Sequence, residues 1–377
     1  MSAGEKGASP KRSGAAAASA EKVRGAMRTK KTADEATTGA MCTPGCIAES
    51  PAVGDSLAEG DAPAGAIAAV CAAAPVPGCA APDPSASETL EELRARVFLA
   101  GRELYRDLPW RNTRDPYAIW VSEAMLQQTQ VSRVDGRWQS WLERFPSVDA
   151  LAAASSADVL AEWQGLGYNR RALALWNAAK VVCEAHAGVM PVDEAELKAL
   201  PGIGPATAAG IRAFAYDLPG VYLETNVRTV FLHELFPDAE NVPDSALVPL
   251  VREACPGSAV VIPGADVPCT PRSWYYALLD YGAHLKRTVP NPSRRSRSNV
   301  RQSKFEGSHR QKRAAVVRLL LAVGETGLTP EEVAAALTSE ELAAGRVLVT
   351  AEVAASILFE LAREGFCTEP IPGRFRA

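Results

Sequence analysis

The sequence runs Leu200-Pro201-Gly202-Ile203-Gly204-Pro205-Ala206-Thr207 at the junction of two helical patterns, one ending at Leu200 and one starting near Ala206. Glycine at positions 202 and 204 lets the backbone turn tightly and lets another chain approach closely. Free amide groups at the start of the second helix can hold a phosphate. An ordinary turn between helices is the alternative, and the full pattern L-P-G-I-G-x-x-T-A argues against it.

Amphipathic helical patterns extend from this hairpin in both directions, and no convincing run of alternating polar and apolar residues interrupts them. Residues 88–287 are therefore predicted to form one all-α domain. The clearest predicted helices are Tyr117–Val134, Ala157–Gly165, Arg170–His186, Val192–Leu200, Ala206–Tyr216 and Val227–Leu235.

The first 87 residues differ in composition from the rest of the chain. They are rich in Ala, Gly, Pro and Ser and hold almost no aromatic residue, so a disordered tail is predicted. A targeting peptide is the alternative, but Glu5 and Glu21 interrupt its basic residues and no hydrophobic stretch with a cleavage site follows. No apolar run is long enough to span a bilayer, so no membrane partner is expected.

Eight cysteines are spread along the chain without any C-x-x-C pair. They are read as free thiols, with a zinc site in the tail as a weakly indicated alternative, so no metal is predicted. The cysteines are Cys42, Cys46, Cys71, Cys79, Cys183, Cys255, Cys269 and Cys367.

The formal net charge of −4 gives no sign of nucleic acid, but it hides a basic stretch whose only acid is Glu306. Residues 288–310 are predicted to be a basic linker, and Arg294, Arg295 and Arg297 are candidate phosphate contacts because clustered cations release counterions from DNA. A solvated linker is the alternative. The whole stretch comprises Lys286, Arg287, Arg294, Arg295, Arg297, Arg301, Lys304, Arg310, Lys312 and Arg313.

Residues 311–377 are predicted to form three helices and a short hairpin, an order typical of a winged-helix-like module. Thr329-Pro330-Glu331-Glu332 is a helix start with a capping box, and Pro372-Gly373 closes the hairpin. The third helix carries Glu352, Glu360 and Glu364 against Arg363 alone. Because a helix that reads bases presents cations and amides, we expect this module to pack or to bind protein.

A second segment, Trp120 to Val131, lies in a predicted amphipathic helix and contains Glu123-Ala124-Met125-Leu126-Gln127-Gln128. Glu123 and Gln127 are one turn apart and face the same way. A carboxyl group beside an apolar wall has a raised pKa and can act as a general acid. A surface glutamate on a polar helix face is the alternative, and it would be favoured if this segment stood alone.

Two further segments complete the pattern. Glu224, in Leu223-Glu224-Thr225-Asn226, lies at a predicted helix start, where the helix dipole favours an ionised carboxylate. The glycine-rich turn from Trp163 to Arg171 displays two arginines, Arg170 and Arg171, and an aromatic residue, Tyr168, which can wedge between stacked bases. An ordinary acidic helix start and a packed tyrosine at a helix cap are the alternatives.

Together and in this order, these segments, with Leu108-Pro109-Trp110-Arg111 and Pro116-Tyr117, resemble the adenine DNA glycosylases, the MutY type of the helix-hairpin-helix superfamily. The resemblance covers residues 108–286. It implies a two-lobed helix-hairpin-helix core and a monomeric, cytoplasmic enzyme associated with the bacterial nucleoid. That enzyme flips a mispaired adenine out of double-stranded DNA and cleaves its N-glycosidic bond in base-excision repair.

The resemblance also implies roles for individual residues. Glu123 matches the acid that protonates adenine, Glu224 falls where the family has an aspartate that stabilises the sugar cation, and Asn226 matches a polar residue that supports this site. Gln127, Gln128 and Tyr168 match residues that fill or probe the opened duplex. The hairpin residues Gly202, Gly204 and Thr207 bind the DNA backbone.

The sequence departs from the family pattern at four places. Glu224 replaces the expected aspartate, which moves the charge and can slow the reaction. Ala206 stands where lyase members carry a Schiff-base lysine, so a monofunctional glycosylase is predicted. No cysteine cluster follows Lys286, so no iron–sulfur cluster or other cofactor is expected. The C-terminal module is too short to resemble an oxidised-guanine recognition domain, which leaves the opposite base open.

Two other hypotheses therefore remain. The enzyme could remove another mispaired base, such as thymine or uracil opposite guanine, because such enzymes share the hairpin. The chain could also be a non-catalytic DNA-binding protein that kept the scaffold, as the change at Glu224 and the missing cluster suggest.

Overall fold

The computed structural model describes residues 89–299 and 304–377, and apart from one small hairpin it is helical, which confirms the all-α prediction. The first twelve helices are α1 (Leu90–Glu103), α2 (Pro116–Leu126), α3 (Val131–Val134), α4 (Arg137–Arg144), α5 (Val148–Ala152), α6 (Ser156–Glu162), α7 (Arg170–His186), α8 (Glu194–Ala199), α9 (Pro205–Tyr216), α10 (Thr225–Leu235), α11 (Asp244–Ala254) and α12 (Pro271–Thr288). Short 3₁₀ turns lie at Pro109–Arg111, Pro292–Arg295 and Gly324–Thr326.

The helix predicted over Tyr117–Val134 is wrong as a single element. Asp115 caps α2 by accepting a hydrogen bond from the Tyr117 amide, and α2 ends at Leu126. The chain then turns through Gln128, whose φ of 54° is in the left-handed region, before α3 begins. The reason is a tertiary contact, because the Arg171 guanidinium occupies the carbonyl groups that would otherwise continue the helix.

The residues that precede the basic stretch form two lobes, each with its own hydrophobic core. The first gathers the inner faces of α2 to α9, and the second gathers α1, α10, α11 and α12. Helices α2 and α9 contribute to both: Ile119 and Phe214 belong to the second core, while Trp120 and Ile211 belong to the first. The predicted two-lobed core is therefore present, and α2 and α9 lie where the lobes meet.

The C-terminal segment contains the predicted three helices and the predicted hairpin. They are α13 (His309–Val323), α14 (Pro330–Ala343), α15 (Ala351–Arg363), β1 (Thr368–Ile371) and β2 (Arg374–Arg376). The strands pair antiparallel around Pro372-Gly373, and Leu328 forms a single bridge with Phe375. The likeness to a winged helix stays a prediction.

This module packs against the first lobe, with which it shares a continuous core. Glu364, at the end of α15, accepts two hydrogen bonds from Arg170 at 2.8 and 2.7 Å and one from Arg313 at 2.6 Å. Glu360 accepts a further one from Arg313 at 2.9 Å. Glu364 thus links the module to the start of α7, while Glu360 pairs with α13 inside the module.

The predicted linker 288–310 is packed in its first part. Pro292, Ser293 and Ser296 are buried, and the Val242 amide donates to the Arg295 carbonyl at 2.9 Å. The Arg297 amide in turn donates to the Val242 carbonyl at 3.0 Å. This segment is therefore held against the loop that follows α10.

The predicted tail, with its four cysteines, and Arg301 lie outside the described residues. Within 89–299 and 304–377, no helix is both long enough and apolar enough to cross a membrane.

Candidate active site and DNA interface

Glu123 lies on α2 where the two lobes meet, and only 9% of it is exposed. Helix α9 crosses directly against its carboxylate. A Cβ atom added at Gly210 would lie 2.6 Å from Glu123 Oε2 and 2.8 Å from a ring carbon of Tyr222. Glycine at position 210 therefore makes the space that the carboxylate and the tyrosine ring share.

Tyr222 supplies a hydroxyl group that hydrogen-bonds the Glu123 carboxylate. Its ring is held edge-on by Phe214 and Tyr275, with ring centroids 5.2 and 5.3 Å away. Its backbone amide donates to the Tyr275 hydroxyl at 3.2 Å. Trp274, Tyr275 and Tyr276 are buried around it.

The pKa of Glu123 is raised to about 8, chiefly because burial disfavours the charged form. The negative charge of Glu224 raises it further, and the hydrogen bond from Tyr222 lowers it. At neutral pH this carboxyl group therefore holds its proton and can donate it, which is the condition for a general acid.

Glu224 is the N-cap of α10, as its sequence position predicted. Its Oε1 accepts hydrogen bonds from the amides of Asn226 at 2.6 Å and Val227 at 3.1 Å. Burial raises its pKa above the ordinary value, while the charges of Lys286 and Arg228 and the two amides lower it. The ionised form expected from the helix start is thus opposed by burial and supported by neighbouring cations.

Asn226 lies in the first turn of α10 and is held by α12. The Lys286 ammonium donates to Asn226 Oδ1 at 2.8 Å. A Cβ atom added at Gly282 would lie 2.2 Å from the Asn226 carbonyl oxygen, so the two helices touch through the glycine backbone. The structure therefore brings together Glu123, Glu224 and Asn226, the three residues predicted to be catalytic.

The hairpin between α8 and α9 has the geometry that its glycines indicate. Gly202 has a φ of 78°, and a Cβ atom there would lie 2.6 Å from that of Ala174. Ile203 is buried and anchors the turn, while Gly202 and Gly204 are exposed. Since no side chain in the described part of the chain caps α9, its first amides are open to a phosphate.

Thr207 was predicted to bind the DNA backbone, but only 8% of its surface is exposed. Its Oγ1 accepts a hydrogen bond from Gln127 Nε2 at 3.2 Å. Thr207 and Gln127 thus connect the start of α9 to the end of α2. The side chain of Thr207 faces the protein, and a contact with DNA there would come from its backbone.

The loops that carry Gln128 and Tyr168 meet at Arg171. Both residues are exposed, and both hold a left-handed φ, of 54° and 50° respectively. Arg171 donates to the carbonyls of Gln127 and Gly167 at 2.5 and 2.9 Å, which ties the two loops together. Residues with a strained backbone conformation of this kind are found mainly at functional sites, where the surrounding structure holds the strained residue in place.

Of the two arginines in the glycine-rich turn, Arg170 is exposed as the sequence suggested and Arg171 is not. Arg171 is turned inward onto loop carbonyls, and Arg170 pairs with Glu364. In the basic stretch, Arg295 donates to the carbonyls of Leu232, at 2.9 Å, and Pro237. Of the three arginines predicted to contact phosphates, Arg294 and Arg297 are exposed, while Arg295 is occupied at the end of α10.

An open cleft of about 620 Å³ lies beside this site. Ala206 and Leu223, which precede Thr207 and Glu224, form part of its wall, together with Arg212 and Arg228. Glu123 is not in the wall, because Gly210 and Tyr222 cover its carboxylate. Glu224 is not in the wall either, so the cleft borders the site without exposing either carboxylate.

The absence of an iron–sulfur cluster stays a prediction. The sequence has no cysteine between Cys269 and Cys367, and an iron–sulfur cluster requires clustered thiolates. In the described part of the chain, no three His, Cys, Asp or Glu side chains are grouped to bind a metal. Cys255 and Cys269 are buried, and burial raises the pKa of both thiols, so they persist as thiols.

Four residues of this site were missed by the sequence reasoning. Tyr222 and Lys286 gave no signal, because one resembles a core aromatic and the other a member of the basic stretch. Arg171 was read as a displayed cation. Gly210 could have been found, since a glycine inside a helix is unfavourable unless another group approaches closely.

Comparison with known proteins shows which family this chain is similar to. Residues 121–246 match the model of the HhH-GPD superfamily base excision DNA repair proteins. The chain is 41% identical to an adenine DNA glycosylase of Mycolicibacterium smegmatis over 177 residues, which span 45% of this chain and 60% of that protein. It is 33% identical to an adenine DNA glycosylase of Mycobacterium tuberculosis over 311 residues, which span 78% of this chain and 96% of that protein.

Among solved structures, a thermostable thymine-DNA glycosylase matches with a TM-score of 0.44 and 22% identity, covering 52% of this chain and 86% of that one. The superfamily match defines the class, a base-excision DNA repair protein built on the helix-hairpin-helix. The chain belongs to the adenine DNA glycosylase family within that superfamily.

Proposed function

We propose that this chain excises mispaired adenine from double-stranded DNA by hydrolysing the N-glycosidic bond, without cutting the strand. The observation that carries this proposal is the pairing of a buried carboxyl, Glu123, whose pKa is about 8, with a second carboxylate, Glu224, at a helix N-terminus. Membership of the adenine DNA glycosylase family supports adenine as the base.

The two carboxyl groups divide the chemistry between them. Glu123 donates its proton to a ring nitrogen of the flipped adenine, so that the C1′–N bond breaks and the base leaves neutral. The sugar becomes an oxocarbenium-like cation, which the charge of Glu224 stabilises. Water then adds at C1′, and its proton returns to the Glu123 carboxylate.

The remaining residues present the duplex to this site. The open amides at the start of α9 bind a backbone phosphate, and Tyr168 and Gln128 enter the duplex from their strained loops. Exposed Arg294 and Arg297 add phosphate contacts. We further propose that one copy suffices, since the site is built from a single chain, and that the protein is located with cytoplasmic DNA.

A mismatch panel tests the function. Single-turnover release of free base is measured with duplexes containing A:G, A:oxidised G, T:G and U:G. Adenine release from the first two alone supports the proposal. Release of thymine or uracil would assign another base, and tight binding without any released base would make the chain a DNA-binding protein on this scaffold.

Strand cleavage is expected to be absent. A lyase needs an amine nucleophile that forms a Schiff base with the sugar, and position 206 carries only a methyl group. After adenine release, the strand should stay intact until hot alkali is added, and borohydride should trap no covalent protein–DNA complex. A trapped complex would contradict the monofunctional reaction.

The reaction should also have a pH optimum. Glu123 must be protonated, so kcat/KM should fall about tenfold per pH unit above about 8. Glu224 must be ionised, so the rate should also fall as the pH drops through the raised pKa of Glu224. A bell-shaped profile of kcat/KM is expected, and a rate that stays level far above pH 8 would exclude Glu123 as the acid.

A further inference from the structure

Lys286 reaches the active site from a helix that carries none of the predicted catalytic residues. It lies in the last turn of α12, and its ammonium donates to Asn226 Oδ1 at 2.8 Å. Gly282, one turn earlier, lets the α12 backbone touch α10 at Asn226. The close approach of the two helices therefore delivers a half-buried cation to the first turn of α10.

This cation is coupled to Glu224. The charge of Lys286 lowers the pKa of Glu224, and Glu224 raises that of Lys286 in return, against the effect of burial on each. In the described part of the chain, no carboxylate lies within 4.0 Å of the Lys286 ammonium, so the two charges interact through space and through Asn226.

The other charges that face Glu224 do not replace Lys286. Arg228, from α10, forms two hydrogen bonds of 2.9 and 2.7 Å with Asp244 and is largely neutralised by it. Glu123, on α2, interacts electrostatically with Glu224. When Glu123 is ionised it is a second negative charge near Glu224, so it cannot take the place of the Lys286 cation. Within residues 89–299 and 304–377, Lys286 is the one lysine or arginine from outside α10 whose side chain donates a hydrogen bond to a side chain in the first turn of α10.

We propose that Lys286 is a positioning residue for this end of the site: it fixes the side chain of Asn226 and supplies the positive charge that keeps Glu224 ionised. The proposal rests on the proposed function, in which an ionised Glu224 stabilises the sugar cation. Lys286 acts through Glu224 and Asn226 and does not touch the reacting atoms.

Three variants test this role in single-turnover assays at saturating enzyme. Lys286→Met should lower the excision rate about 10- to 100-fold, since a hydrogen bond to a charged group is lost together with the charge. It should also move the acidic limb of the pH profile to higher pH. Lys286→Arg keeps the charge and should stay within about threefold of wild type. Lys180→Met, which changes a half-buried lysine beside Trp176 on α7, should behave as wild type.

A double-mutant cycle and a DNA-free titration separate the possible failures. In a Glu224→Gln background, Lys286→Met should have no further effect on the acidic limb. In DNA-free protein, the carbon-13 shift of the Glu224 carboxyl should titrate at higher pH in Lys286→Met than in Lys180→Met. This titration needs no catalysis, so it decides the coupling even if the mismatch panel shows no released base.

Several results would overturn the proposal. An unchanged titration of Glu224 would show that the two charges are not coupled. A weaker affinity for DNA with an unchanged saturating rate would make Lys286 a phosphate contact. A faster reaction in Lys286→Met would show that repulsion of the sugar cation dominates. A lower melting temperature with an unshifted acidic limb would leave only a structural role.

Discussion

Glu123→Gln is expected to lower single-turnover excision of adenine by about 10²- to 10⁴-fold, the contribution of a positioned general acid. The amide keeps the shape of the side chain and a hydrogen-bonding partner for Tyr222, so the packing between α2 and α9 is retained. It cannot give a proton to the departing base. The loss should therefore appear in the rate at saturating enzyme and not in the affinity for duplex DNA.

Glu103→Gln is the matched control, because it makes the same change at an exposed position of α1. It should leave the rate at the wild-type value. If Glu123→Gln retains full activity, proton donation by this residue is excluded. A large loss of DNA affinity would instead show that Glu123 acts in binding.

Gly210→Ala is the second change with a large expected effect. Glycine to alanine inside a helix normally stabilises by about 0.5–1 kcal/mol. Here the new Cβ would lie 2.6 Å from Glu123 Oε2, and overpacking of this kind typically destabilises by about 1–3 kcal/mol. Overpacking therefore dominates, and thermal unfolding should show a net destabilisation of about 1 kcal/mol.

The effect of Gly210→Ala on the rate should exceed its effect on stability. A displacement of about 1 Å at a reacting group can lower the rate about a hundredfold, and the Glu123 carboxylate must move to admit the methyl group. Gly257→Ala is the control, since a Cβ atom there meets nothing within 4 Å. Wild-type rates for both variants would mean that the carboxylate does not need its observed position.

The helical lobes and the hairpin could be predicted from the sequence because their signals are local. Gly202 and Gly204 are three and one positions before Pro205, and this spacing alone predicts the tight turn and the helix start. The N-cap position of Glu224 was also visible, since its capping contacts reach only two and three residues along the chain.

The missed features depend on contacts between distant parts of the chain. The break after Leu126 is fixed by Arg171, which lies 44 residues beyond Gln127 in sequence. Lys286 reaches Asn226 across 60 residues, and its place in a basic run made it look like a phosphate contact. Arg295 was misjudged for the same reason, because charge alone does not show which cations fold back onto helix carbonyls.

The proton on Glu123 can be followed directly in DNA-free protein through the carbon-13 chemical shift of its carboxyl group, assigned with Glu123→Gln. A protonated acid held between the two lobes predicts a midpoint near pH 8, well above the ordinary value of 4.5. A midpoint near 4.5 would show that the carboxyl is ionised at neutral pH, and the proposed acid catalysis by Glu123 would then be wrong.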